Sequence, residues 1–336
     1  MRVGIDARKI ADFGIGTYIR GLLGALVDLN APDEYVTFAP AGAPIPAGVE
    51  HVVVNAPHYS ARELITLGRA ANRARLDVFH APHYVVPFTH VPLVVTIHDL
   101  IHLHQPLRNP LAPIYARAML RRAVRKARVI LTVTEAVRRE LETELGARTV
   151  VVTPNGAPAF TAPDRSHPAV PTFLYAGNDK PHKNVSALID AFAEVRRVLP
   201  DATLTLAGAA FTRLRNIDGI RARGFVTDAE LAALYGESVA LVMPSHEEGF
   251  GLPALEAMAR GTAVITSNAA ALVEVTGEAA LHVDARDARA LAAAMVRVAS
   301  DAPLRDSMRA RGLERARAFT WKRCAELTRD AYERAR

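Results

Sequence analysis

Two hydrophobic patterns alternate along the first half of the chain. Short runs rich in Val, Ile and Leu lack the strict alternation of half-exposed strands, which predicts buried parallel strands. Stretches with apolar residues at helical spacing separate them, as in Gly16–Leu29 and Ile114–Lys126. The runs that predict strands are Val3–Asp6, Val36–Phe38, Val52–Val54, Val78–His80, Leu93–His98, Val129–Val133 and Val150–Thr153.

Residues 157–171 interrupt this alternation with repeated prolines among polar residues, which is typical of a linker. A second alternating series follows it. Its predicted helices are Val185–Val198, Asp228–Tyr235 and Pro253–Arg260. Its predicted strands are Thr172–Ala176, Thr203–Ala207, Gly224–Val226, Ala240–Met243, Ala263–Thr266 and Ala280–Val283.

Two such series predict an α/β protein with two doubly wound, Rossmann-like domains that face each other across a cleft. We expect residues 1–160 to form the first domain and residues 161–317 the second. Residues 318–336 are expected to form a helix that packs back on the first domain. Because ligands bind at the carboxyl ends of the strands in such sheets, the loops after the strands are the places to look for chemistry.

Composition narrows the class of protein. Half of the 336 residues are hydrophobic and 23% are charged, which is usual for a globular chain and excludes disorder as the main state. No apolar run approaches the roughly 20 residues of a membrane span, and the opening MRVGIDARKI lacks the apolar segment of a secretory signal. The single cysteine, Cys324, excludes an internal disulfide. We therefore expect a cytoplasmic protein.

The formal charge of +6 is concentrated in the first half. Residues 1–160 hold 18 Lys/Arg and 13 Asp/Glu, whereas residues 161–336 hold 23 and 22. Much of this charge lies in two stretches, residues 62–75 and 117–128, in which no aromatic residues interleave with the basic ones, so nucleic-acid stacking is not indicated. Two interpretations stay open: a solvated helix face, or a surface for an anionic partner such as a phosphorylated acceptor or an acidic membrane. The basic residues are Arg62, Arg69, Arg73, Arg75, Arg117, Arg121, Arg122, Arg125, Lys126 and Arg128.

The most informative segment is PSHEEGFGLPALEAMA, residues 244–259, which follows a predicted strand. Its glycines allow a tight loop close to a ligand, and Pro253 suits the first turn of a helix. A helix amino terminus favours a phosphate, while a carboxylate can accept hydrogen bonds from a vicinal diol. With Glu248 in the loop and Glu256 on the helix, the segment predicts a site for a sugar-linked diphosphate.

This segment resembles the signature of retaining glycosyltransferases of the GT-B fold, in particular glycosyltransferase family 4, whose two acids are spaced E-x7-E. GIGTYIRGLL near the start and GFVTDAELAALY before the acids extend the resemblance over nearly the whole chain. It implies a nucleotide-sugar donor, with Glu248 on the sugar and Glu256 on the ribose, and no metal cofactor. The donor-binding residues that it further implies are Val226, Gly249, Phe250, Gly251 and Leu252.

A second segment, YAGNDKPHKN at residues 175–184, follows the first strand of the second domain. Lys183 stands just before a predicted helix, where its ammonium can meet a diphosphate as a point charge. The family implies a basic pair here that neutralises the leaving nucleoside diphosphate. Lys183 matches the lysine of that pair, but His182 replaces the usual arginine and Lys180 lies two residues earlier. Which of these two supplies the second charge stays open.

In the first domain, Gly14 and Gly16 open a helix soon after the first strand. A dinucleotide fingerprint would need a third glycine at Ile19, so a dehydrogenase is not supported. The family resemblance instead implies a flexible loop over the donor phosphates, with close backbone approach at Gly16.

His98 ends the strongest apolar strand, and the resemblance implies that it contacts the donor sugar or the acceptor. No serine or cysteine is visibly paired with it, so a hydrolase triad has no basis. His83, His98, His102 and His104 do not have the spacing of a recognisable metal site. The residues expected on the acceptor side are Tyr18, His83, Tyr84 and Asp99.

The sequence thus favours a retaining hexosyltransferase. Because GNDKPHKN resembles mannosyltransferases of bacterial surface polysaccharide synthesis, the first hypothesis is transfer from GDP-mannose to a glycan, lipid-linked or small-molecule acceptor. One alternative is a non-enzymatic two-domain sugar-binding protein, which would need aromatic stacking platforms. Another is a GT-B sugar-nucleotide epimerase, which would turn over the donor without an acceptor.

Overall fold

The computed structural model describes residues 1–56, 60–104, 112–158, 170–214 and 217–336. The chain divides into two compact units. The first comprises Met1–Gly156 together with Phe319–Arg336, and the second comprises Ala157–Ala318. Most of the predicted linker, residues 159–169, lies outside the described residues.

The first unit is built on a seven-stranded parallel sheet of order β3-β2-β1-β4-β5-β6-β7. The order reverses between β1 and β4, which pair directly at Ile5 and His80. The strands are β1 (Arg2–Asp6), β2 (Glu34–Ala39), β3 (Glu50–Val53), β4 (Val78–Ala81), β5 (Leu93–Thr96), β6 (Val129–Thr132) and β7 (Val150–Val152). The helices that cover them are α1 (Ile15–Asp28), α2 (Ala61–Arg73), α3 (Ile101–His104), α4 (Ala112–Lys126) and α5 (Glu135–Leu145).

The second unit has a six-stranded parallel sheet of order β10-β9-β8-β11-β12-β13, which reverses between β8 and β11. Its strands are β8 (Thr172–Ala176), β9 (Thr203–Ala207), β10 (Ile220–Ala222), β11 (Ala240–Met243), β12 (Ala263–Ser267) and β13 (Ala280–Val283). Its helices are α6 (Val185–Val198), α7 (Asp228–Gly236), α8 (Leu252–Ala259), α9 (Ala270–Thr276), α10 (Ala288–Ser300) and α11 (Ala302–Ala316). The inner strands β8, β9, β11 and β12 are almost wholly buried, as their continuous apolar sequence predicts.

The last helix, α12 (Trp321–Ala335), belongs to the first unit although it follows the second in the chain. It packs along α1, where Gly21 leaves room for the Trp321 indole: a Cβ there would lie 2.3 Å from the ring. Its Tyr332 hydroxyl lies 2.8 Å from Nδ1 of His80 inside the sheet. The predicted return of the C-terminal helix is confirmed.

One predicted strand is wrong. Gly224–Val226 is a loop, and the edge strand β10 lies just before it, where Ile220 and Ala222 pair with Leu204 and Leu206 of β9. Phe225 is 68% exposed, so the apolar pair Phe225-Val226 that suggested a strand does not enter the core. No helix within the described ranges is long and apolar enough to cross a membrane.

Candidate active site

The two chemistry-bearing segments of the second unit follow the two strands at which its sheet order reverses. Residues 177–184 leave the carboxyl end of β8, and residues 244–251 leave the carboxyl end of β11. At such a reversal the connecting helices diverge to opposite faces and open a crevice that binds ligands in doubly wound sheets. The fold therefore brings together the lysine segment and the acidic segment.

Lys183 and Glu248 form a direct ion pair. The Lys183 Nζ lies 2.7 Å from Oε1 of Glu248, and the two side chains are only 17% and 7% exposed. The Ser245 hydroxyl donates a second hydrogen bond of 2.7 Å to the same carboxylate oxygen. Glu248 is therefore a fixed, charge-paired group and not a solvated loop acid.

Asn184 links the loop that carries Lys183 to the loop that carries Glu248, a role that was not predicted from the sequence. Its backbone is left-handed, with φ of 55°, which asparagine tolerates better than most residues. Its buried Nδ2 donates to the carbonyls of Pro244, at 3.1 Å, and Ala285, at 2.7 Å. The backbone N–H of His246 also donates to the His182 carbonyl, at 2.7 Å. The position of the lysine relative to the acid loop is thus set by buried hydrogen bonds.

The acid loop leads into helix α8, whose first turn is not capped by a side chain. Gly251 precedes the helix with φ of +91°, and a Cβ there would lie 2.5 Å from the Leu272 side chain. Leu252 and Pro253 form the first turn, and Phe250 is buried beneath the loop at 5% exposure. Pro253 has no N–H, and the N–H groups of Ala254 and Leu255 donate to the Gly251 carbonyl at 2.9 and 3.2 Å. What this turn offers a phosphate is therefore chiefly the positive end of the helix dipole.

Glu256 lies on α8, directed towards α7. The Tyr235 hydroxyl donates to its Oε2 at 3.0 Å. Burial raises the pKa of Glu256, an effect that the Tyr235 hydrogen bond and the positive charge of Arg260 oppose. Glu256 is therefore not a surface acid that merely complements the helix dipole.

The two candidates for a second cation lie in different surroundings. Lys180 is exposed, and its backbone N–H donates to Oδ1 of Asn178 at 3.1 Å. His182 is buried at 7% exposure. The loop after β10 contains Val226, which is half-buried.

In the first unit, His98 follows β5 on the carboxyl edge of the sheet. Its Nε2 lies 3.2 Å from the Pro82 carbonyl, so this nitrogen donates and Nδ1 carries the lone pair. Burial lowers the pKa of His98, against the opposing effects of Asp99 and the Pro82 carbonyl. The result is a neutral imidazole with a fixed tautomer.

Tyr18 supports His98 from within the core. It is 1% exposed, its ring packs edge-on against His98 at 4.8 Å between centroids, and its hydroxyl pairs with Thr96 Oγ1 at 3.0 Å. The structure therefore places Tyr18 beneath the edge of the sheet, where it contacts His98.

His83 and Tyr84 follow β4 and stack on each other with 4.3 Å between ring centroids. His83 Nδ1 accepts a hydrogen bond of 3.2 Å from the Val85 N–H. Burial, together with the nearby positive charge of Lys9, holds the pKa of His83 well below its usual value. Asp99 accepts from the Ile101 N–H at 3.1 Å.

Positions 14 and 16, at the start of α1, are occupied by glycine for different structural reasons. Gly14 has φ of +64°, and the space around its Cα is open. A Cβ on Gly16 would lie 2.6 Å from the Ile10 carbonyl oxygen. The chain's own backbone therefore already requires glycine at position 16.

A buried ionic cluster beside these loops was not identified from the sequence. The Arg8 guanidinium holds both oxygens of Asp6, at 2.8 and 2.6 Å, and Oε1 of Glu63 on α2, at 2.8 Å. In the sequence, only the neighbouring residues Asp6 and Arg8 could have indicated this cluster. Within the described ranges, no group of three or more His, Cys, Asp or Glu side chains could hold a metal ion.

Comparison with known proteins identifies the family. Residues 14–159 match the family model described as Glycosyltransferase Family 4, and residues 170–301 match the one described as Glycosyl transferases group 1. The O-antigen chain mannosyltransferase B of Escherichia coli is 30% identical over 285 residues, which cover 76% of this chain and 74% of that protein. The chain belongs to the glycosyltransferases of family 4.

Other relatives of this glycosyltransferase differ in their reactions. The glycogen synthase of Mycobacterium tuberculosis is 33% identical over 288 residues, or 77% of this chain and 69% of that protein. The sucrose-phosphate synthase structure from Thermosynechococcus elongatus matches with a TM-score of 0.81 at 21% identity, over 99% and 98% of the two chains. WaaG, a glycosyltransferase of lipopolysaccharide biosynthesis, matches with a TM-score of 0.77 at 13% identity, over 98% and 99%. These structures establish the GT-B fold, as the sequence predicted.

Proposed function

We propose that this glycosyltransferase moves a hexose from a nucleotide sugar to a glycan, lipid-linked or small-molecule acceptor with retention of anomeric configuration. The proposed donor is GDP-mannose, and the proposed setting is bacterial surface polysaccharide synthesis at the inner face of the membrane. Two relatives support mannose by their names. They are the Escherichia coli mannosyltransferase and the MMP alpha-(1->4)-mannosyltransferase of Mycolicibacterium hassiacum, which is 30% identical over 274 residues.

The observation that carries the proposal is the Lys183–Glu248 pair beside the uncapped start of α8. A donor diphosphate at this turn would attract Lys183 and leave Glu248 to accept hydrogen bonds from the sugar hydroxyls. Lys180 is the better candidate for the second cation, because it is exposed whereas His182 is buried. Glu256 would bind the ribose through its remaining oxygen, since Oε2 is held by Tyr235.

In the proposed mechanism, departure of the nucleoside diphosphate leaves an oxocarbenium-like centre. Negative charge grows on the diphosphate, where Lys183 and the positive end of α8 stabilise it. The acceptor hydroxyl attacks from the same face, and the leaving phosphate takes its proton. Glu248 is bound to Lys183 and Ser245 and is assigned no nucleophilic role. Neutral His98, with Nδ1 as an acceptor, would receive a hydrogen bond from a hydroxyl of the donor sugar or the acceptor.

A second proposal concerns the basic surface of the first unit, which we infer to bind an anionic membrane surface. Phe88 is 53% exposed and lies between α2 and α4: its N–H donates to Leu64 of α2 at 2.9 Å, and Arg122 of α4 lies over its ring at 4.5 Å. Both helices also expose arginines at helical spacing, together with apolar side chains. Basic residues interspersed with exposed apolar ones are typical of surfaces that bind acidic lipid. We call the set the α2/α4 face: Arg62, Ile65, Arg69, Arg73, Phe88, Ile114, Arg117, Arg121 and Arg125.

The donor proposal is tested with the purified protein and a panel of labelled nucleotide sugars, with and without mannose-containing oligosaccharide acceptors. We expect label to enter the oligosaccharide from GDP-mannose, and the anomeric proton coupling of the product to show retention. Incorporation from a UDP-sugar only would replace the donor assignment. Interconversion of the donor without any acceptor would favour the epimerase alternative, and binding of free sugar but no nucleotide would favour the sugar-binding alternative.

A further inference from the structure

Helix α12 reaches the strands of the first sheet through a buried chain of hydrogen bonds. The Tyr332 hydroxyl lies 2.8 Å from Nδ1 of His80, and Nε2 of His80 lies 2.7 Å from Thr96 Oγ1. The same Thr96 oxygen lies 3.0 Å from the Tyr18 hydroxyl. All four side chains are at most 1% exposed. One residue each from α1, β4, β5 and α12 is therefore joined in a single chain, which we call the α12 network.

The directions of these hydrogen bonds depend on one another. Burial, together with the nearby His98, lowers the pKa of His80 to about 3, so the His80 ring is neutral at neutral pH. A neutral imidazole donates from one nitrogen and accepts at the other. Whichever nitrogen carries the proton, a change at Tyr332 alters what His80 offers to Thr96. Buried hydrogen bonds in such a chain polarise one another, so the network favours one arrangement of its members.

Tyr18 is the member of the α12 network that contacts the candidate site. Its ring packs edge-on against His98, with 4.8 Å between the ring centroids. Trp321, the first residue of α12, packs edge-on against Tyr18 at 6.3 Å. The indole itself is closely confined, because a Cβ on Gly21 or Gly156 would lie within 2.5 Å of it. The first residue of α12 thus contacts Tyr18 directly, and its last turn reaches Tyr18 through the α12 network.

We propose that Tyr332 and Tyr18 are positioning residues for His98. Through the α12 network, the last helix holds the His98 ring in the orientation in which Nε2 donates to the Pro82 carbonyl and Nδ1 is an acceptor. The hydrogen bond of 3.2 Å to Pro82 fixes one nitrogen of the ring but not its tilt, and the edge of Tyr18 supplies the second constraint. This inference rests on the proposed function, because that function gives His98 a part in transfer.

Nitrogen NMR of the full chain with isotope-labelled histidine tests the proposal without any substrate. In the unmodified protein we expect His98, assigned through the loss of its signals in His98→Gln, to show one protonated and one unprotonated nitrogen. Tyr332→Phe and Tyr18→Phe each remove one hydroxyl from the network. Both should bring the two signals towards each other, because the ring then samples both tautomers. Thr96→Val should have the same effect, whereas Thr96→Ser keeps the hydroxyl and should preserve the separation.

Steady-state kinetics gives the second measurement. Tyr332→Phe should lower kcat about 10- to 100-fold, because a small misalignment of a group in the site is costly. The affinity for the free nucleoside diphosphate, which we propose binds the second unit, should stay the same. Tyr35→Phe is the matched control. Tyr35 is a buried tyrosine of the same core, and its hydroxyl has no hydrogen-bond partner among the described residues, so this variant should change neither kcat nor the His98 signals.

Three outcomes, each measured below the melting transition of the variant, would overturn the positioning role. Tyr332→Phe could melt lower yet keep the His98 signals and kcat, in which case the network serves stability alone. It could lose kcat with unchanged His98 signals, or Tyr35→Phe could change both quantities as much. If the unmodified protein transfers no sugar, the proposed function fails, whereas the His98 signals still decide whether α12 orients this ring.

Discussion

Lys183 Nζ and Glu248 Oε1 lie 2.7 Å apart, so two residues from separate sequence segments form a single ion pair at the carboxyl edge of the second sheet. Each charge keeps the other neutralised while both are largely buried. A diphosphate carries more negative charge than one carboxylate and would compete for the lysine. Binding of the donor and release of Glu248 are therefore expected to be one coupled event.

Lys183→Ala should lower kcat with the true donor about 100- to 1000-fold, the usual loss when a group that stabilises developing negative charge is removed. Steady-state kinetics gives the number. A thermal melt must show that the variant is folded, because Glu248 then lacks its partner. Lys183→Arg should restore part of the rate. Lys180→Ala is the matched comparison and should mainly raise the donor KM. A wild-type kcat in Lys183→Ala would contradict the assignment.

Glu256→Gln and Glu248→Gln should separate nucleotide binding from sugar transfer. Glu256→Gln removes the carboxylate proposed to bind the ribose, so the affinity for the free nucleoside diphosphate should fall. Glu248→Gln frees Lys183 from its ion pair, so the same affinity should hold or increase while kcat collapses. Titration calorimetry and kinetics on the two variants measure both effects. Equal losses of nucleotide affinity would show that the acids do not differ in this way.

Local pattern was sufficient to predict the two doubly wound sheets and to place Lys183 and Glu248 in loops that follow buried strands. The roles proposed for the two residues came from the family resemblance and stay predictions. It could not reveal the role of Asn184, whose amide partners lie 60 and 101 residues away in the chain. The Arg8 cluster was missed for the same reason, since Glu63 comes from a different helix.

The error at β10 has a different origin. Phe225 and Val226 have the composition of a strand, but the ladder to β9 ends at Ala222. Only the pairing of backbone groups distinguishes the edge strand from the exposed loop after it.

The pH dependence of stability should expose the cost of burying Glu256. Its pKa is raised in the folded protein, so the folded state binds this proton more tightly than the unfolded state. The stability that the protonated acid contributes is fully present below the pKa of the unfolded state, which is near 4.5. It is lost as the pH rises from there through the higher pKa of the folded state. Glu256→Gln should therefore raise Tm at neutral pH, with a gain that shrinks towards pH 4. Tyr235→Phe should lower Tm at neutral pH. Melting curves from pH 4 to 8 without nucleotide test both, and a gain independent of pH would contradict the explanation.

Asn184 can be tested by separating its backbone from its amide. Asn184→Gly keeps the left-handed conformation at little cost but removes the two buried donations, whereas Asn184→Asp keeps the shape and replaces the donating group. Each lost hydrogen bond should cost about 1 kcal/mol or more, because the carbonyls of Pro244 and Ala285 lose their donor. We expect both variants to melt lower and to lose kcat more than nucleotide affinity. If Asn184→Gly retains full kcat, the tie between the two loops is not needed for transfer.

The last prediction concerns the α2/α4 face and its proposed lipid partner. Arg122 is not part of the test, because its guanidinium already donates to the carbonyls of Val86 and Pro87. The triple variant Arg117→Gln, Arg121→Gln, Arg125→Gln removes exposed charge from α4 only. Co-sedimentation with vesicles that contain about one third phosphatidylglycerol should fall for this variant. It should also fall with added salt, because the Debye length shrinks from about 10 Å at 0.1 M to about 3 Å at 1 M.

The control for that experiment removes the same formal charge elsewhere, from exposed positions on α11, just after it and on α12. The three changes are Arg311→Gln, Arg317→Gln and Arg323→Gln. Loss of net charge alone would weaken vesicle binding equally in both triple variants, whereas a defined face requires the α4 variant to lose far more. Phe88→Ser adds an independent arm, because an apolar contribution persists at high salt and a purely electrostatic one does not. If the vesicles never retain the unmodified protein, even at low salt, the proposal is wrong and these arginines form an ordinary solvated helix face.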